Sequence, residues 1–133
     1  MVRNVNENSQ KENEKEILLV SCSGASNTGT LSDCVVRELV NENPKKYKLL
    51  CLPALALGRK NAMESLKNAS HIIVLDGCAM KCATQILQEK GRSPDVSIEL
   101  AKDCGIKKNM IPTCEKEDVK KIKELVKRAT ENW

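Results

Sequence analysis

Two unbroken apolar runs, Ile17–Val20 and Ile72–Leu75, most restrict what this chain can become. A strand with one wet face alternates apolar and polar residues; a run that is apolar throughout needs cover on both faces. After the first run the apolar spacing changes to that of a helix. Leu31, Val35, Val36, Leu39 and Val40 form a stripe that Asn43-Pro44 ends. A second helix, from about Lys60 to Asn68, puts Ala62, Met63, Leu66 and Ala69 inward. A third, from about Met80 to Lys90, buries Ala83, Ile86 and Leu87 and stops at Gly91. The last, from about Glu115 to Thr130, gathers Val119, Ile122, Leu125, Val126 and Ala129, with Thr113 as N-cap. Lys48–Leu52, cut by Pro53, and Val96–Leu100, an alternating edge, complete the strands. The order βαβαβαβα with short connections predicts one doubly wound α/β domain. Its open, mostly parallel four-stranded sheet is expected in the order 2-1-3-4, flavodoxin/Rossmann-like, with helices on both faces.

At 133 residues the chain suits a single domain, assigned to residues 16–133. Met1–Lys15, mostly Asn, Glu, Lys and Ser, reads as a disordered polar tail. Phe is absent, and Tyr47 and Trp133 are the only large aromatics, so the core falls to Leu, Ile, Val, Ala and Met. That scarcity argues against stacking single-stranded nucleic acid, and the net charge of +4 is modest. Its surplus, at Lys107–Lys108 and Lys120–Arg128, suits a solvated face better than a nucleic-acid patch. No apolar run approaches the roughly 20 residues of a membrane span. The tail has no apolar core of a secretory signal, so a reducing cytoplasmic setting is expected. There, seven cysteines point to metal or catalysis rather than to a disulfide framework.

Four of those cysteines fall at expected strand tips. Cys22 follows the first strand, Cys51 the second and Cys78 the third, and Cys82 comes one helical turn after Cys78. Strand tips of a parallel sheet share one rim, about 4.8 Å apart, so distant thiols can converge. Four thiols with no acidic partner describe a soft-metal site: one zinc per chain, with an iron–sulfur cluster ranked behind it. The role expected of such a zinc is structural, sensory or metal-handling. Helix N-termini and Lys81, with Arg59 or Lys60, would balance the charge of a tetrathiolate. Cys34, within the first helix, reads as a small buried hydrophobe. Cys104 and Cys114 divide evenly between packing and the site, Cys114 being placed to reach the rim.

The stretch Ser21–Gly29 has a second reading, as a loop that cradles a small anion with its amides. It is neither a Walker A loop nor a dinucleotide fingerprint. Phosphatase chemistry would need an Arg six residues after Cys22, where Thr28 stands. The alternative function is a thiol-dependent redox or group-transfer enzyme with Cys22 as nucleophile and Cys78 or Cys82 resolving. His71 starts the third strand, seven steps of about 3.3 Å from Cys78, too far to serve the rim. Asp76 reads either as an acceptor behind the site or as a helix cap, and Gly77 as a turn glycine. Partner proteins and substrate carry no signal.

The run Asp76-Gly77-Cys78-Ala79-Met80-Lys81-Cys82-Ala83 resembles the DGC-domain family, named for its Asp-Gly-Cys. The resemblance extends to Cys22-Ser23-Gly24 with Asn27-Thr28-Gly29, to Cys51-Leu52-Pro53-Ala54-Leu55 and to Gly105-Ile106-Lys107-Lys108. It implies a small α/β domain with Cys22, Cys51, Cys78 and Cys82 as expected zinc ligands. Asp76, Gly77, Asn27 and Gly29 would support them. Ala79 stands where such sequences often carry Pro. The family gives no substrate.

Overall fold

A computed structural model describes residues 16–133; the tail read from Met1–Lys15 lies outside the described residues. Strands β1 (Ile17–Ser21), β2 (Tyr47–Leu49), β3 (His71–Asp76) and β4 (Val96–Glu99) form one parallel sheet in the order β2-β1-β3-β4. The helices are α1 (Asn27–Glu42), α2 (Leu52–Ala56), α3 (Lys60–Asn68), α4 (Cys82–Glu89), α5 (Leu100–Asp103) and α6 (Lys116–Thr130). The doubly wound α/β topology is as the sequence led us to expect.

Strand alternation divides the core in two. Ile17, Leu19, Ile73 and Leu75 face α1 and α6, where Leu31, Val35, Leu39, Ile122 and Val126 meet them. Leu18, Val20, Ile72 and Val74 face the other way, onto Leu55, Leu66, Ala83 and Leu87 of α2, α3 and α4. β1 and β3 are thus sealed on both faces, which is why their runs admit no polar residue. Each fully buried Leu or Ile contributes about 1.5–3 kcal/mol relative to exposure. Tyr47, the lone tyrosine, keeps its hydroxyl inside by pairing with Thr130 Oγ1 at 2.8 Å. The Thr130 hydroxyl in turn donates to the Val126 carbonyl, so no buried polar atom there is orphaned.

The elements depart from expectation at their ends. α1 begins earlier, at Asn27, because Ser26 caps it by accepting from the Gly29 amide at 3.1 Å. Pro53 does not only stop β2: it sits in the first turn of α2, where a missing N–H costs nothing. α5 follows β4 without a loop, and α6 starts after Glu115 rather than from a Thr113 cap. His71 lies at the end of β3 away from the cysteines and stacks on Trp133, ring centroids 4.1 Å apart. Among the described residues, no helix is long and apolar enough to cross a membrane.

Candidate functional site

The carboxyl ends of the strands, where such sheets bind ligands, carry three loops packed tightly together. A Cβ on Gly29 would lie 2.6 Å from the backbone of Gly24, and one on Gly77 would lie 2.8 Å from Thr28 Oγ1. Only glycine fits at either place, so the first loop, the start of α1 and the tip of β3 form one body. Asp76, fully buried, accepts from the Ala83 amide at 2.9 Å and the Thr84 hydroxyl at 2.6 Å. It caps α4 from the neighbouring strand, replacing the cap that left-handed Lys81 (φ 48°) does not make. Asn27 clamps the segment after α5. Its side chain donates to the Lys107 carbonyl at 2.9 Å and accepts from the Asn109 amide at 2.7 Å. Asp76, Gly77, Asn27 and Gly29 therefore build the rim by capping, clamping and close packing.

The four cysteines share this end of the sheet but not one point. β1 and β2 stay paired only as far as Leu19 with Leu49, so no strand register carries Cys51 up beside Cys22. Leu52 is buried beneath the same face as Cys22, and Cys51, one residue earlier, is turned out to solvent. Cys22 itself bends under Gly24 and lies 3.7 Å from Ser32 Oγ on α1. Cys78 precedes α4 in a turn, so it and Cys82, the first residue of α4, do not share a helical face. Lys108 donates to Cys78 Sγ at 3.4 Å, and Cys82 is exposed.

Among the described residues, no group of three or more His, Cys, Asp or Glu side chains is placed to hold a metal ion. The expectation of zinc on Cys22, Cys51, Cys78 and Cys82 is thereby corrected, and the iron–sulfur alternative and the metal-ion partner fall with it. The donors do not fit the tetrahedral thiolate shell either would need. The nucleophilic reading of Cys22 also loses its ground, since its sulfur's neighbour is the Ser32 hydroxyl rather than a resolving thiol, and four of the loop's amides are engaged elsewhere. Cys22 N–H donates to the Leu75 carbonyl, Ser23 N–H to Ser32 Oγ, Asn27 N–H to the Asn109 carbonyl and Gly29 N–H to Ser26 Oγ. An anion there would find these four donors engaged.

Cys22 and Cys51 do meet across a cleft of about 530 Å³ between the first loop and the chain leaving β2. Its walls include Leu50, Leu52, Pro53 and Ile86, with Ser21, Ser23 and Thr30 supplying hydroxyls. At its rim, Arg37 Nε donates to Asp33 Oδ2 at 2.8 Å, and Ser23 Oγ donates to Asp33 Oδ1 at 3.1 Å. Ser23 takes a left-handed backbone (φ 50°), and these bonds hold it there. Asp33 and Arg37 were legible only as an ordinary i,i+4 pair on a helix surface. Their place over the loop depends on where α1 begins. A second depression, of about 450 Å³ beside Lys60, Met63, Lys67 and Arg92, is lined by residues of α3 and the chain after α4, none of them at a strand tip.

The remaining cysteines divide. Cys104 is buried in the core, and burial raises its thiol pKa, with Lys121 opposing. Cys114 does not reach the rim: its sulfur lies 2.7 Å from that of Cys34 on α1.

The parallel, doubly wound sheet with its ligand-sized cleft at the strand tips defines an α/β protein of the flavodoxin/Rossmann-like class. The chain belongs to the DGC domain family, which matches residues 18–126. No curated protein and no solved structure gives a match.

Proposed function

We propose that this domain is a binding module for a small amphipathic molecule, held in the cleft between the first loop and residues 49–53. The observation that carries this reading is the cleft's position and lining: a cavity of about 530 Å³ at the strand tips, within the usual size of ligand pockets. Leu50, Leu52, Pro53 and Ile86 offer an apolar body contact, and Ser21, Ser23 and Thr30 offer hydroxyl oxygens as acceptors, their protons being given to Ser23, Asp33 and the Ser26 carbonyl. The charges of Asp33 and Arg37 cancel, so the cleft favours a neutral polar end group, such as an amide or an alcohol, over an ion. Cys22 and Cys51 act as lining side chains. We place the protein in the cytoplasm, a reading supported by cysteines that are all unpaired in the described residues.

The test is an NMR titration of the labelled full chain with small neutral amides and alcohols carrying an apolar body. Binding is expected to shift the amides of residues 21–24 and 49–53. An Ile86→Trp variant, which fills the cleft, should abolish those shifts. Shifts confined to the region of Met63 and Arg92, or unchanged in Ile86→Trp, would sink the proposal.

A further inference from the structure

Two of the three cysteines that the rim does not use are the closest pair of thiols described. Cys34 lies in the middle of α1 and Cys114 just ahead of α6, 80 positions apart in sequence. Their sulfurs are 2.7 Å apart, well inside ordinary van der Waals contact, and both are free thiols. Bond formation at about 2.05 Å asks for a small further approach. The helix that carries Cys34 and the helix that Cys114 precedes are already packed together through Val119, Ile122 and the α1 stripe. Neither cysteine belongs to the cleft or to the family's motif positions at the rim.

The surroundings separate the two sulfurs by role. Burial pushes the Cys34 thiol up to about 11, with the neighbouring Cys114 adding to the shift, so Cys34 keeps its proton near neutral pH. Cys114 borders an open depression of about 520 Å³, lined also by Lys116, Lys120, Lys123 and Lys127, with Glu38 and Glu124 opposing. With Glu42 also paired to Lys123 and Lys127, four ammonium groups face three carboxylates, an excess of one positive charge that Lys116 and Lys120 bring beside the outer sulfur. An approaching disulfide with carboxylate groups is attracted there.

We propose that Cys34 and Cys114 are a redox-active dithiol that exchanges with small anionic disulfides. The Cys114 thiolate attacks one sulfur of the disulfide RSSR, forming Cys114–S–S–R and expelling RS⁻. Cys34 then gives up its proton and attacks the Cys114 sulfur, closing the internal disulfide and releasing the second RS⁻. Both leaving thiolates take up the protons lost by the two cysteines. In sum, two protein thiols are oxidised and one RSSR is reduced to two RSH.

Glutathione disulfide is the probe. The full chain is equilibrated in graded mixtures of glutathione and its disulfide, free thiols are alkylated, and peptides are mapped by mass. A Cys34–Cys114 cross-link is expected before any other cysteine is modified. In Cys34→Ser, glutathione should remain trapped on Cys114, whereas Cys114→Ser should lose the cross-link and leave Cys34 unmodified. Equal modification of Cys34, Cys114, Cys51 and Cys82, or trapping on Cys34 in preference to Cys114, overturns the proposal. Wild-type mapping alone decides should either variant fail to fold by circular dichroism.

Discussion

Asp76 shows how much one side chain carries here. It is fully buried, ends β3, and satisfies the start of α4 through Ala83 and Thr84. Charge-assisted bonds of this kind contribute about 1.5–3 kcal/mol each when a partner is removed. Asp76→Asn keeps the volume but turns one acceptor into a donor facing donors. We expect a loss of about 2–3 kcal/mol in urea unfolding, with hydrogen exchange rising first in α4. A change below about 0.5 kcal/mol would mean that α4 is capped some other way. The sequence left Asp76 divided between a site acceptor and a cap, since either role asks for the same carboxylate. Only the fold, by bringing residues 83 and 84 beneath it, separates the two.

Between elements, the contact of α1 with α6 is fastened by Lys123, which reaches both Glu38 and Glu42. The Lys123 ammonium holds the Glu42 carboxyl below its ordinary 4.5, and the two carboxylates hold Lys123 above its ordinary 10.5. Stability from Glu42 is therefore complete above pH 4.5 and is lost as pH falls through the lowered value in the folded chain. Stability from Lys123 is complete below pH 10.5 and fades as pH rises through its raised value. Both carboxylates are half exposed, so the network is worth at most about 1 kcal/mol. Lys123→Met should flatten the acid limb of a melting-temperature profile by that small amount; an unaltered limb would show that other carboxylates set it. At this scale the sequence was read best where packing dictates every residue. Ile72–Leu75 had no alternative to a central strand, and α3 was bounded to the residue. In the sequence the second strand reads as far as Leu52 with Pro53 as its stop, whereas Leu52 opens α2 and proline is equally at home in a helix's first turn.

For the molecule as a whole, the sheet order was legible and the convergence of the thiols was not. Four cysteines near strand tips suggest a common point only if strand register and side-chain parity agree, and neither shows in linear spacing. β2 ends at Leu49, so no strand pairing carries Cys51 up to Cys22. A fold that does not depend on metal should keep its melting temperature through dialysis against a strong chelator. A fall of more than about 5 °C would contradict the side-chain arrangement described. The cleft survives the correction, since its walls come from the same strand tips by way of Leu50, Leu52 and Ile86.

The missing Cβ atoms at the rim also bear on descent. Gly29 rests against Gly24, and a side chain at Gly77 would come within 3.0 Å of the Gly29 amide nitrogen. A lineage gaining a methyl group at one of these positions must shift two separate stretches of backbone at once. Gly29 and Gly77 should thus pass between generations as a single inherited unit, whereas Gly24, where a methyl group would meet only Cys22 Sγ at 3.8 Å, is freer to change.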